Sequence, residues 1–167
     1  YDHMLSVTPT GQACGAVVTG IDLSKPLDTT DIAAVRAAWL EHHVLVFPDQ
    51  QLTPDNFERV ATTFGPIADD PFISPIEGHE RIAAIQRRAD ETGQIFADVW
   101  HSDWSFKPQP PAGTLLYGIT IPPTGGDTLF VNEHKALEEM PSALRAKLEG
   151  KVGIHSAGRS YAKDGKY

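Results

Sequence analysis

The sequence has 167 residues and a mass of 18.2 kDa, the size of one domain or of part of a larger one. Fourteen lysines and arginines against 22 aspartates and glutamates give a formal net charge of −8, so we expect neither a nucleic-acid nor an anionic-membrane partner. Apolar residues make up 41%, enough for a sizeable core, and no apolar run approaches the ~20 residues that span a bilayer. The single cysteine, Cys14, excludes an intramolecular disulfide and a cysteine-based zinc cluster.

The N-terminal half of the sequence predicts alternating strands and helices. Apolar periodicity and turn residues predict strands at 5–8, 15–21 and 44–47. The same signals predict helices over about 32–43 and from Pro54 to Gly65. The second helix has a threonine N-cap followed by proline at its first position, which is a favourable start for a helix.

The middle and C-terminal parts predict a Pro-rich and acidic loop followed mostly by strands. The loop is expected at 66–78, and the strands are expected at 82–85, 113–120, 128–131 and 151–155. A helical pattern covers about 134–149, and Pro141 within it predicts a kink or two short helices. Short strands with long insertions favour a mainly β sandwich or jelly-roll core with flanking helices, in a single domain over 1–167.

His101 and Asp103 are the candidate metal ligands. On a strand, residues two apart point to the same face, so this imidazole and carboxylate can reach a common point. They are two thirds of a 2-His-1-carboxylate triad, which binds Fe(II) and leaves positions open for substrate or O₂. The spacing alone is weak, because chance gives about 0.5 H-x-D matches in a chain of this composition. A surface histidine beside a surface aspartate is the alternative.

The motifs around this pair carry a family resemblance. Trp-His-Ser-Asp at 100–103, Pro-Pro-Ala-Gly at 110–113 and Ile-Pro-Pro-Thr-Gly-Gly-Asp-Thr-Leu-Phe at 121–130 occur in this order. Together they resemble the taurine dioxygenase (TauD/TfdA) family of Fe(II)/2-oxoglutarate-dependent oxygenases. Segments 15–23 and 44–50 are also similar to that family, so the resemblance covers nearly the whole chain.

The resemblance implies a fold, a reaction and roles for three residues. The fold would be a double-stranded β-helix (jelly roll). The reaction would use Fe(II), 2-oxoglutarate and O₂ to hydroxylate a small organic substrate, with release of succinate and CO₂. His101 and Asp103 would be the catalytic iron ligands. The hydroxyl of Thr128 would donate a hydrogen bond to the distal carboxylate of 2-oxoglutarate; an ordinary strand threonine is the alternative.

Two further groups of the family's site lie near its C-terminus, beyond the last residue of this sequence. They are the second iron-binding histidine and the arginine that binds 2-oxoglutarate. We therefore expect the chain to be a truncated or partly ordered portion of a longer enzyme. His155 follows the helical stretch, where the family has no ligand, so we expect it to be a strand histidine packed at the sheet.

The substrate side departs from the taurine enzymes. Asp70 falls where they have a sulfonate-binding histidine, and Ile73 falls where they have a tyrosine. A carboxylate there would repel a sulfonate by of order 1–4 kcal/mol, so taurine is disfavoured. Asp70 would suit an amine or a hydroxyl, with a solvated loop acid as the alternative. Trp104 and Phe106 flank the ligands; the resemblance implies that Phe106 lines an apolar substrate pocket, with core packing as the alternative.

A non-catalytic jelly-roll binding or assembly domain that has lost the metal triad is the alternative function. A cupin-like metal isomerase is weaker, because the Gly-Gly-Asp-Thr-Leu block at 125–129 disfavours it. The N-terminus lacks the charged-then-apolar pattern of a signal peptide, so we expect a cytoplasmic protein. The identity of the substrate and the formation of a homo-oligomer stay open.

Overall fold

The computed structural model describes residues 4–68, 74–93, 97 and 99–156. Its elements in chain order are β1 (Ser6–Pro9), β2 (Ala16–Thr19), α1 (Thr29–His42), β3 (Leu45–Val46), α2 (Pro54–Phe64), β4 (Pro75–Ile76), β5 (His79–Ala83), α3 (Glu133–Glu138) and α4 (Ser142–Leu148). The chain forms two compact units. The first unit is Tyr1–Gly65 with Tyr117–Lys151, and the second unit is Pro66–Leu116 with Val152–Tyr167.

A three-stranded sheet with order β1-β2-β3 organises the first unit. Strand β2 pairs antiparallel with β1, Ser6 opposite Thr19, and parallel with β3, Ala16 opposite Leu45. The parallel pair is joined through α1, as parallel strands require a crossover connection. Side chains alternate along a strand, which explains why Ala16 and Val18 are fully buried while Thr19 is exposed. The buried apolar core of the described residues is Ala16, Val18, Leu23, Val35, Ala38 and Val60.

Both long helices begin directly after a residue whose side chain caps them. The Asp28 side chain accepts a hydrogen bond from the Asp31 amide at the start of α1. At the start of α2, the Thr53 hydroxyl accepts from the Asn56 amide, and the Asn56 side chain accepts from the Thr53 amide. This reciprocal capping box satisfies two backbone donors that a helix end otherwise leaves unpaired. Both predicted helices are therefore confirmed; α2 begins at the predicted Pro54, whereas α1 begins at Thr29, three residues before its predicted start at about 32.

The Gln50 side chain supports the segment that follows β2. Its Oε1 accepts from the Leu23 amide at 2.8 Å, and its Nε2 donates to the carbonyl of Ile21 at 3.1 Å. The same Nε2 donates to the Pro48 carbonyl at 3.2 Å. One side-chain amide thus pairs part-buried backbone groups that have no strand neighbour, which avoids the cost of leaving them unsatisfied.

Two side chains attach the C-terminal part of the first unit to its N-terminal part. The Tyr117 hydroxyl donates to the Gln50 carbonyl and accepts from the Leu52 amide, both at 3.1 Å. Asn132, the N-cap of α3, donates from Nδ2 to the carbonyl of Ala13 at 2.9 Å. Each contact joins residues far apart in sequence, so this unit is held by long-range hydrogen bonds as well as by its core.

The second unit contains a small hairpin formed by β4 and β5. Strands β4 and β5 pair antiparallel with an irregular register. Strand β4 lies within the predicted loop 66–78, and β5 begins three residues before the strand predicted at 82–85.

Helices α3 and α4 are separate and lie on either side of Pro141, which confirms the prediction of two short helices. No helix in the described part of the chain is long and apolar enough to cross a membrane.

Three predicted strands do not form within the described residues. Segments 113–120, 128–131 and 151–155 have no regular secondary structure. Their apolar side chains are uncovered, as with Ile119 (88% exposed) and Ile154 (93% exposed). A strand depends on a hydrogen-bonded neighbour as well as on β-prone residues, and these segments have none among the described residues. The observed architecture is a mixture of helices and two small sheets, so the expected mainly β fold is seen only in part.

Gly20 provides a test of the β1–β2 pairing. It has φ +73°, and a Cβ at this position would collide with the Met4 carbonyl oxygen. Gly11 has a similar φ of +76° but open space around its Cβ position. Gly11→Ala should cost about 1–2 kcal/mol of unfolding free energy from left-handed strain alone. Gly20→Ala should cost about 1–3 kcal/mol more, because backbone must move. Urea unfolding of both variants measures this difference, and equal losses would contradict the collision.

Candidate metal centre

His101 and Asp103 lie in the second unit, and neither is in a strand; Asp103 begins a turn, and His101 lies in the irregular segment just before it. Residues 101 and 102 have no regular structure, and residues 103–106 form a turn. Trp104 has φ +45°, a left-handed conformation that a strand does not accommodate. The alternation of side chains along a strand is therefore the wrong explanation for any proximity of these two residues. The turn itself, closed by a 2.9 Å bond from the Lys107 amide to the Trp104 carbonyl, positions Asp103.

The turn brings the two side chains together. Nε2 of His101 lies 3.2 Å from Oδ1 of Asp103. The side chains are 46% and 48% exposed, so the pair is reachable from solvent while half of each is covered by protein. The structure therefore places both predicted ligands at one point.

The other ring nitrogen of His101 determines which form of the imidazole faces Asp103. Nδ1 lies 2.8 Å from the carbonyl oxygen of Val99. A carbonyl only accepts hydrogen bonds, so Nδ1 carries the proton and donates. In the neutral ring the lone pair is then on Nε2, which is the atom turned toward Asp103.

The second carboxylate oxygen of Asp103 is held by Thr114. The Thr114 hydroxyl donates to Oδ2 at 2.6 Å, which leaves Oδ1 as the oxygen facing His101. The sequence prediction missed this residue and treated it as part of a strand. The sequence did contain a feature that could have identified Thr114: its hydroxyl directly follows the Pro-Pro-Ala-Gly block at 110–113, after which the chain returns to Asp103.

The donor set of this pair fits a divalent metal ion. A nitrogen lone pair and a carboxylate oxygen at 3.2 Å need a cation or a proton between them. Imidazole and carboxylate together suit Fe(II), and two adjacent ligands with bonds of about 2.1 Å lie about 3 Å apart. Across residues 4–68, 74–93, 97 and 99–156, no group of three or more His, Cys, Asp or Glu side chains could hold a metal. The described part of the chain thus offers two candidate ligands.

Trp104 and Phe106 are half-buried beside the ligand pair. Nζ of Lys107 lies 5.3 Å from the centroid of the Trp104 ring, within the range of a cation–π contact. The indole Nε1 of Trp104 is buried and has no hydrogen-bond partner in the described part of the chain. The turn therefore carries two half-buried aromatic residues that follow Asp103 in sequence, and a substrate pocket lined by Phe106 stays a prediction.

His155 contacts the same turn without joining the ligand pair. Its Nδ1 lies 2.7 Å from the Ser105 hydroxyl, and the imidazole is exposed in an irregular segment. The expected packing of this histidine on a sheet is therefore wrong, because its segment forms no strand.

The remaining predicted site residues belong to the first unit or are outside the described residues. Thr128 belongs to the first unit and is exposed, two residues after a glycine pair with φ +77° and +74°. Asp70 and Ile73 lie outside the described residues. Their predicted contacts with 2-oxoglutarate and substrate stay predictions.

Comparison with known proteins identifies the class to which this fold and ligand pair belong. The family described as "Taurine catabolism dioxygenase TauD, TfdA family" matches residues 6–166, and the chain belongs to this family. The chain is 35% identical over 143 residues to an alkylsulfatase of Acinetobacter baylyi, covering 85% of this chain and 44% of that protein. It is 31% identical to an (S)-phenoxypropionate/alpha-ketoglutarate-dioxygenase of Delftia acidovorans, covering 96% and 58%.

A solved structure gives the same result. A taurine dioxygenase from Burkholderia xenovorans superimposes with a TM-score of 0.68 at 31% identity, over 87% of this chain and 51% of that one. The chain spans about half the length of the curated relatives it matches. The resemblance inferred from the sequence motifs is thereby confirmed.

The tautomer of His101 provides a direct test of the ligand geometry. In the metal-free protein we expect the neutral ring to carry its proton on Nδ1, because the Val99 carbonyl can only accept. Long-range ¹H–¹⁵N NMR correlations of a histidine-labelled sample distinguish the two tautomers. A proton on Nε2 would mean that the ring donates to Asp103, and that Nε2 is not turned out as a metal ligand.

Proposed function

We propose that the protein is an Fe(II)- and 2-oxoglutarate-dependent dioxygenase that hydroxylates a small organic substrate and releases succinate and CO₂. The observation that carries this proposal is the 3.2 Å approach of His101 Nε2 and Asp103 Oδ1. Family membership and relatives named as alpha-ketoglutarate-dependent dioxygenases support the co-substrate. The relatives named here are enzymes, and no observation favours a non-catalytic binding domain.

Within this proposal the chain's own residues have separate tasks. His101 and Asp103 hold the metal, and bound Fe(II) supplies the activation of O₂ that is coupled to oxidative decarboxylation of 2-oxoglutarate. The Thr128 hydroxyl donates to the distal carboxylate of 2-oxoglutarate, since a carboxylate that leaves water needs hydrogen-bond donors. Trp104 and Phe106, half-buried beside the ligands, present an apolar wall to the substrate and exclude water.

The proposed fold of the whole protein is a double-stranded β-helix with flanking helices, in which 1–167 form part of one oxygenase domain. The similarity to a solved taurine dioxygenase supports this assignment. A cytoplasmic location belongs to the same proposal.

The proposal separates this protein from enzymes acting on taurine itself. By the family resemblance, Asp70 falls where the taurine enzymes have a sulfonate-binding histidine, and a carboxylate there would repel a sulfonate within a few ångströms. Relatives named for a sulfate ester and for phenoxypropionate show that members of the family act on varied small molecules. We therefore propose a small organic substrate other than taurine.

Replacement of His101 tests the proposed function. In the full-length protein supplied with Fe(II), 2-oxoglutarate and O₂, His101→Ala should lower succinate formation by about 100-fold or more, because a primary metal ligand is lost. Succinate measured by mass spectrometry provides the readout, without a known substrate, through slow uncoupled turnover. His155→Ala is the matched control, because that imidazole contacts Ser105 and not the ligand pair. Retained turnover in His101→Ala would rule out the ligand assignment.

A further inference from the structure

We propose that Thr114 is a positioning residue that fixes the orientation of the Asp103 carboxylate, so that one oxygen is held by the hydroxyl and the other faces the metal. This inference rests on the proposed function, because it concerns the same metal. It assigns a task to a residue that touches neither metal nor substrate.

The two oxygens of an aspartate are chemically equivalent until the protein distinguishes them. Rotation of the carboxylate about its last side-chain bond is broad and nearly two-fold, and the Asp103 side chain is 48% exposed, so packing does not fix it. The Thr114 hydroxyl at 2.6 Å from Oδ2 is short for a hydrogen bond, as expected when the acceptor is charged. It occupies one oxygen and leaves Oδ1 at 3.2 Å from His101 Nε2.

The backbone between Asp103 and Thr114 is arranged to return the hydroxyl to the carboxylate. The turn at 103–106 reverses the chain, and the Lys107 amide bonds the Trp104 carbonyl at 2.9 Å. Three of the four residues at 108–111 are prolines, and each fixes its own φ. A restricted loop loses less conformational entropy when its two ends meet, so the bond between Thr114 and Asp103 forms at low cost.

His101 is likewise held by one hydrogen bond to the protein. Its Nδ1 donates to the Val99 carbonyl at 2.8 Å. Each proposed ligand therefore has one polar atom hydrogen-bonded to the protein, and its other polar atom faces the partner ligand. Outer contacts of this kind orient metal ligands, and their loss typically weakens metal binding by about 10–100-fold.

Thr114→Val and Thr114→Ser form a matched pair for the test. Valine keeps the shape of the side chain and removes the hydroxyl, while serine keeps the hydroxyl and removes the methyl group. Metal-free full-length protein is titrated with Mn(II), and free Mn(II) is measured by electron paramagnetic resonance. We expect Thr114→Val to raise the Kd for Mn(II) about tenfold or more, and Thr114→Ser to stay within about threefold of wild type.

The outcomes separate the two proposals. If wild type and His101→Ala bind Mn(II) equally, the metal centre and the proposed function fail together. If His101→Ala loses binding while Thr114→Val binds like wild type, the role of Thr114 is wrong and the proposed function stands. Equal losses in Thr114→Val and Thr114→Ser also overturn it, because the methyl group would then matter. Thr114→Ala is the second hydroxyl-free variant should Thr114→Val fail to fold, with the same expected loss.

Discussion

A nitrogen lone pair and a carboxylate oxygen that face each other repel unless a positive charge lies between them. With a neutral imidazole protonated at Nδ1, His101 Nε2 and Asp103 Oδ1 are in this relation at 3.2 Å. The other ring nitrogen is bound to a backbone carbonyl and the other oxygen to a hydroxyl. In the proposed metal centre this arrangement would need little reorganisation to accept a cation.

The sequence was enough to find this pair, although the geometric reason was wrong. The order of the motifs at 100–103, 110–113 and 121–130 singled out His101 and Asp103. Strand alternation then predicted their proximity, whereas the structure achieves it through a turn with Trp104 in the left-handed region. Thr114 escaped prediction because its hydroxyl reaches Asp103 across eleven residues, and no periodic pattern encodes such a contact.

The fold likewise has elements that depend on neighbouring residues, which the sequence predicts, and elements that depend on distant partners, which it does not. The starts of α1 and α2 follow from Asp28 and Thr53, because a cap is a contact between residues three apart. The two short helices around Pro141 follow from a single residue that cannot continue a helix. Segments 113–120 and 151–155 have the composition of strands, but a strand also needs a partner, and composition does not supply one.

The order in which the units occur along the chain has a consequence for synthesis. The chain leaves the first unit at Gly65 and re-enters it at Tyr117, so most of the second unit is an insertion within the first. The bonds from Tyr117 to Leu52 and from Asn132 to Ala13 span 65 and 119 positions. A nascent chain emerging from the ribosome therefore exposes an incomplete first unit until residue 151 has been made. The early sheet and helices must stay soluble for that interval, which favours folding that is late and cooperative over folding that proceeds stepwise from the N-terminus.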